Sequence, residues 1–399
     1  LFRRLGVFVG GFTLDRVEAM NHYLGGLALH DVRDSMQELA VIDRLARLVD
    51  HNLVQQTHTP DGTIRFSLLE TLREFALERL AERREVDDAR RQHTLCYAAF
   101  VEEAARHLHG ANQAHWHAQI EHERHNLRAA ILWSVEREER QLALRLVASM
   151  WWFWFVRGYF SEGRELLAAA LSIPGDSKQP LNTPELADAL IGAGFLAEYH
   201  AYDSHAQTLV NRGLEVARAL ADPQRIALAS ITLGLLASHR ARFAEARTLN
   251  EQALAHARAA GDSRIMAFST NNLGHIAYRE GKYSTARQLF AEALTLWRTG
   301  DDDWGIAMTL NGFGHVALAE QDYVAARAYY EQSLSIRRRL GYTAGIALSL
   351  TGLARVAGGE GNITLARSLC KEGWTTAPDW RIIAAHQAST RCDTALANA

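Results

Sequence analysis

Between residues 184 and 376 the apolar positions follow two periods at once. At short range they recur three and four residues apart, the spacing of one helix face. Leu273, Ile276 and Ala277 make one such stripe, and Ala286, Leu289, Phe290, Ala293 and Leu294 make the next. At long range the pattern repeats every 40 residues: Phe243 to Arg247, Tyr283 to Arg287, Tyr323 to Arg327 and Ile363 to Arg367 all end in Ala-Arg. Gly194, Gly234, Gly274 and Gly314 keep the same register, as do Asp222, Asp262 and Asp302. Each unit therefore predicts a helical hairpin. Gly281 suits the left-handed residue that ends a first helix, and the small residues let paired helices approach closely. One hairpin cannot bury its own apolar face, so successive units must stack into an array. Five units fit between about 184 and 376, and a degenerate sixth covers Trp151 to Leu171.

The first 80 residues have another texture. Thr13 is a good cap for a helix running to about Leu24, and Ile42, Leu45, Leu48 and Val49 give a second amphipathic helix. Two short strands, 53–57 and 63–68, flank a turn at Pro60-Asp61-Gly62. A helix follows from Leu69 to about Arg83. Helices followed by a β-hairpin describe a winged helix.

These motifs carry a resemblance. Leu-Gly, Gly-x-Tyr and Ala-Leu in fixed order resemble tetratricopeptide (TPR) repeats, in the longer form found in kinesin light chain and bacterial regulators. At the other end, Leu1-Phe2-Arg3-Arg4-Leu5, Gly10-Gly11-Phe12-Thr13-Leu14, Leu45 to Asp50 and Leu68 to Ala76 are similar to the segment after the ATPase of STAND regulators. STAND proteins are signal-transduction ATPases with numerous domains, among them LuxR-type and AfsR-like transcriptional regulators. Glu123 to Ala130 with Trp133 resembles their helical connector. The resemblance implies an order of ATPase, winged helix, connector and TPR sensor. No G-x-x-x-x-G-K-[ST] phosphate loop occurs here, so any ATP and Mg would belong to a module upstream of Leu1. The start at Leu1 fits a piece of a longer protein.

Composition narrows the function classes. The net charge is −3, which sets up no field for nucleic acid or anionic lipid. Residues 1–80 hold 9 basic and 11 acidic residues, whereas a DNA-reading module shows a basic face, so DNA contact is not assigned to the winged helix. Cys96, Cys370 and Cys392 form no pair, which suits a reducing, cytoplasmic setting. The most apolar run, 146–156, falls short of the roughly 20 residues a spanning helix needs. No nucleophile elbow or CxxC pair points to an enzyme.

Three features could carry chemistry. His107, His109, His115, His117, His122 and His125 crowd one stretch, and His122-Glu123-Arg124-His125 is one residue short of a zinc-protease motif. A solvated helical linker is the preferred reading, with no metal site. Trp151-Trp152-Phe153-Trp154-Phe155 could wall a ligand pocket, but packing of the first degenerate repeat against the connector is preferred. The sharper candidate lies on the first helix of each repeat, which lines the concave face in TPR folds. Through the Leu-Gly register that face receives Tyr199, His239, Asn271, His275, Tyr278, Arg279, Asn311, His315 and Arg355. Asn271/Asn311 and His275/His315 stand one period apart, as ladders able to hydrogen-bond a peptide backbone, a sugar or a phosphate-bearing ligand.

The expected fold is mainly α: a right-handed TPR-like α-superhelix preceded by a winged-helix domain with a small β-hairpin. The expected domains are a winged helix at 1–83, a connector at 84–145, repeats at 146–376 and a tail or helix at 377–399. The expected role is the sensor arm of a STAND-type regulator. Its groove would take a protein, peptide or small-molecule inducer, and its partner would be the upstream ATPase module. No catalytic residue, metal, membrane contact or cofactor of its own is expected. A plain protein-interaction scaffold and direct DNA binding by the winged helix are the competing readings.

Overall fold

The computed structural model describes residues 1–22, 33–59, 62–175, 182–201 and 205–376. The end of the first predicted helix at Leu24, the turn residues Pro60 and Asp61, and the tail at 377–399 lie outside them. The described residues form eighteen helices and one two-stranded sheet. They divide into two compact units: Leu1–Ala105 with Ala118–Leu146, and Arg106–His117 with the chain from Val147 onward.

The first unit is the winged helix and most of the connector. Its elements are α1 (Phe2–Leu5), α2 (Leu14–His22), α3 (Arg33–Asp50), β1 (Gln55–His58), β2 (Ile64–Ser67) and α4 (Glu70–Glu82), followed by the larger parts of α5 (Val86–His107) and α6 (Gln113–Glu136). β1 and β2 pair antiparallel with Gln55 opposite Ser67. Phe12 adds a bridge to Phe66 through two 2.8 Å backbone hydrogen bonds. Phe8 and Phe12, with ring centroids 4.7 Å apart, carry that bridge into the core.

A buried polar network ties the hairpin to the connector. Glu123, 3% exposed, accepts from Arg65 Nη1 at 2.5 Å, Tyr97 Oη at 2.6 Å and Asn126 Nδ2 at 2.9 Å. Asn126 also donates to the Gly11 carbonyl and accepts from the Val9 amide. A buried carboxylate must be paired and hydrogen-bonded to be tolerated, and all three donors reach Glu123 from different elements.

The second unit is a TPR-like superhelix. α7 (Arg140–Arg157) and α8 (Phe160–Ser172) lead into five hairpins. They are α9 (Pro184–Ala201) with α10 (Ala206–Ala219), α11 (Pro223–His239) with α12 (Phe243–Ala260), α13 (Ser263–Arg279) with α14 (Tyr283–Thr299), α15 (Asp303–Ala319) with α16 (Tyr323–Leu340), and α17 (Thr343–Gly359) with α18 (Ile363–Thr376). The in-register aspartates cap the first helices: Asp222 accepts from the amides of Gln224 and Arg225, Asp262 from that of Ile265, and Asp302 from that of Gly305.

The register glycines are where the hairpins close. A Cβ on Gly274 would stand 2.7 Å from the Phe290 ring, and one on Gly314 would stand 2.7 Å from Tyr330. Gly312 and Gly352 of the following repeats press on the other sides of the same two rings. Each ring is thus a key between two repeats, and both are fully buried. Arg247–Glu280, Arg287–Glu320 and Arg327–Glu360 pairs recur along the outside at the same period.

Candidate binding face of the repeats

The first helices α11, α13, α15 and α17 contact one another in series, so their residues share one face. The structure brings seven of the nine expected residues into one neighbourhood there. Asn271 is buried and accepts a 2.9 Å hydrogen bond from Thr309 Oγ1. Asn311 is buried, and its Nδ2 lies 3.1 Å from His315 Nε2. His315 Nδ1 lies 2.7 Å from Tyr330 Oη. The rings of His275 and His315 are 6.2 Å apart, and Tyr278 stacks on His315 at 5.7 Å. Arg279 bears electrostatically on both histidines, and Arg355 on His315.

Tyr199 and His239 form a second group further along. Their rings are 6.0 Å apart, and His239 Nδ1 lies 3.0 Å from Glu198. Glu198 is fully buried and also pairs with Arg240 at 3.2 Å.

The electrostatics of the first cluster are one-sided. Burial holds the His275 imidazole near a pKa of about 4, with Arg337 and Arg279 pushing the same way. His315 is held well below its ordinary value by burial, then by His275, Arg355, Arg337 and Arg279. Both are therefore neutral at pH 7, and each can both donate and accept.

The aromatic run packs against the connector, as expected, through His109 and His117, and against later repeats as well. All five of Trp151–Phe155 are buried. Trp152 meets Trp304 at 4.8 Å and His109 at 4.8 Å. Phe155 meets Phe195 at 4.9 Å, Tyr199 at 5.0 Å and Tyr342 at 5.5 Å. Thr343 Oγ1 donates to the Arg157 carbonyl at 3.2 Å. The end of α7 thus lies against residues of α9 and α15 and the start of α17, on the same side as Tyr199. Five consecutive aromatics point all round a helix, and they are buried because different partners meet different sides.

The histidine-rich stretch is likewise not simply a solvated linker. His117 is a core residue, and His109 is half-buried against Trp152. His117 is 1% exposed, stacked on Phe153 at 6.0 Å, and burial with the nearby Arg157 lowers its pKa to about 3. Among the described residues no group of three or more His, Cys, Asp or Glu side chains is placed to hold a metal ion. No helix among them is long and apolar enough to cross a membrane.

Two groups escaped the sequence reading. Glu123 and Asn126 lay inside the connector motif without any sign of their buried network. Arg337, 2% exposed, touches Asn311 at 3.4 Å and donates to the Gly345 carbonyl at 2.6 Å. The signal for it was in the register: positions 217, 257 and 297 are Ala, Ala and Trp, and 337 is Arg.

Comparison with known proteins agrees with this architecture. Residues 1–81 match the winged helix-turn-helix domain family, and residues 224–299, 264–339 and 305–373 match the tetratricopeptide repeat family. A Mycobacterium tuberculosis protein named as an HTH-type transcriptional regulator is 32% identical over 235 residues, covering 57% of this chain. That match spans about a quarter of the regulator, 25% of its length. An equally similar protein of the same description occurs in Mycobacterium bovis. Among solved structures, aspartyl phosphate phosphatase F from Bacillus subtilis has a TM-score of 0.52 at 13% identity, covering 94% of this chain and 90% of that one. NprR in complex with its cognate peptide NprX has a TM-score of 0.51 at 15% identity, covering 63% and 72%. The chain is thus a winged helix plus TPR repeats, homologous to HTH-type transcriptional regulators, and the structural likenesses bear on the fold alone.

Proposed function

We propose that this chain is the sensor arm of a STAND-type, ATP-dependent transcriptional regulator working in the cytoplasm. Its concave face takes an inducer or partner, and its winged helix acts on an ATPase module upstream of Leu1. No catalytic role falls to this chain, and ATP with Mg belongs to the upstream module.

One observation carries the reading. Asn271/His275 and Asn311/His315 recur at one period on adjacent first helices, and the fold gathers them with Tyr278 into one polar cluster. Groups that only stabilise a stack need no polar ladder on its inner face; the neighbouring register positions 191 and 231 are isoleucines. The winged helix supports the regulatory half. Arg65 of its hairpin is held by Glu123 and by the His122 carbonyl, and so is turned inward. That arrangement suits a latch better than a DNA-reading wing. An inducer switches such an arm only through different affinity for its two states.

Calorimetry of the chain with candidate metabolites, beside pull-down of candidate partner proteins, separates a small-molecule sensor from a scaffold. His275→Ala and Asn311→Ala should each weaken binding of whatever ligand emerges while the far-ultraviolet circular dichroism stays helical. Unchanged affinity in the double variant contradicts the assignment of this face.

A further inference from the structure

Arg337 is a cation buried without an anion. It sits in the last turn of α16 beside Arg338 and Arg339, which pair with Glu372 and Asp303 respectively. Arg337 points inward instead, and no carboxylate of the described residues reaches it. Its Nη1 is fully engaged by neutral acceptors: the Gly345 carbonyl at 2.6 Å, Ser349 Oγ at 3.0 Å and Asn311 Oδ1 at 3.4 Å. Its Nε is buried with no partner. Its Nη2 makes no hydrogen bond to any of the described residues. Nε and Nη2 form the side-on edge of the guanidinium, the edge that takes two oxygens of one carboxylate or phosphate in parallel hydrogen bonds.

The repeat register shows that this arrangement departs from the array around it. At the position of Arg337 the three preceding repeats carry Ala217, Ala257 and Trp297. At the position of Tyr342 they carry the capping aspartates Asp222, Asp262 and Asp302. This repeat therefore gains a cation and loses a carboxylate within six residues. Tyr342 instead presents its ring, 5.7 Å from the guanidinium carbon. An unpaired buried charge is costly to a fold, and no stacking requirement of the array demands one here.

Arg337 also belongs to the polar cluster. It touches Asn311, and it bears electrostatically on His275 and His315. The other charges acting on those histidines are Arg279 and Arg355, with no carboxylate among them. We propose that the free Nε/Nη2 edge of Arg337 is an anchor for an oxyanion group, carboxylate or phosphate, on the ligand of the concave face. Asn311, which accepts from Arg337 Nη1, and His315, whose ring nitrogens face Asn311 and Tyr330, flank the anchor and hold its position. The proposal rests on the groove reading above and narrows it to anionic ligands.

The test uses the full chain and two probes, inorganic phosphate and benzoate, titrated against sodium chloride at constant ionic strength while thermal unfolding is followed. A ligand that binds only the native state raises the midpoint with its concentration. The expected result is a saturable rise with at least one probe, phosphate or benzoate telling which oxyanion geometry fits. That rise should persist in Arg338→Gln and vanish in Arg337→Lys, which keeps the charge and loses the fork. Arg337→Met, closer to the residues of the other repeats, should be folded and equally unresponsive. No rise with either probe, or the same rise in Arg337→Lys and the wild type, overturns the anchor. A groove ligand whose affinity falls in Asn311→Ala but not in Arg337→Lys removes the anchor and leaves the groove reading standing. A ligand indifferent to both removes the groove reading itself.

Discussion

The ring of Trp152 on α7 meets the ring of Trp304 on α15 edge-on, at 4.8 Å and an interplanar angle of 71°. The contact joins residues 152 positions apart in the chain and links α7, at the start of the superhelix, to the first helix of its fourth hairpin. Truncation of a buried aromatic costs about 3–5 kcal/mol, so Trp152→Ala should lose that much in urea unfolding. The double-mutant cycle with Trp304→Ala should show a coupling of about 0.5–1.5 kcal/mol. Additivity would mean that the two rings do not meet in solution.

The keyed glycines predict an overpacking penalty with a specific rescue. Gly274→Ala places a methyl 2.7 Å from the Phe290 ring, and overpacking of this kind costs about 1–3 kcal/mol. Phe290→Leu removes the ring edge, so the Gly274→Ala change should cost less in that background than in the wild type. An equal penalty in both backgrounds would place the helix approach elsewhere.

In the first unit, Glu123→Ala leaves Arg65, Tyr97 and Asn126 without their common acceptor. Breaking a buried ion pair costs about 3–5 kcal/mol. The loss should be local as well as global: the Phe12 and Phe66 amides, bonded across the bridge, should exchange faster with solvent. Protection of those two amides at the wild-type level would show that the network does not hold the hairpin.

Acid should weaken both units through their buried histidines. Burial lowers the pKa of His93 from 6.5 to about 4 and that of His117 to about 3. Each takes up its proton in the unfolded chain before it does so in the native one. Their contribution is therefore complete above pH 6.5 and is lost as pH falls toward 4 and 3. Each such group tilts stability by about 1.4 kcal/mol per pH unit within its window. His117→Phe, which can keep the stack on Phe153, should make the acid limb shallower by one proton; an unchanged slope would mean that His117 is protonated in the native state.

Much of the fold was legible because its period is written in small residues. Glycine at 194, 234, 274 and 314 marks helix approach, and aspartate at 222, 262 and 302 marks helix starts, each a local signal repeated. The ladder positions were legible by the same register. What the sequence could not show is where a side chain finds a distant partner. The aromatic run announced its own crowding but not Phe195, Trp304 or Tyr342, and His109 and His117 read as linker because their cover comes from Trp152 and Phe153. Arg337 was hidden for a different reason. It breaks the register once, at a position that is Ala217, Ala257 and Trp297 in the preceding repeats, and one exception carries no periodic signal.

Ligand binding on the concave face is tested most directly by one affinity comparison. Random peptides displayed on phage would be selected on the wild-type chain, and the dissociation constants of enriched peptides measured on the wild type and on His275→Ala/Asn311→Ala. Binding to the double variant should be at least tenfold weaker, about 1.4 kcal/mol, with helical circular dichroism retained. Enriched peptides that bind the double variant as tightly as the wild type would contradict binding on this face.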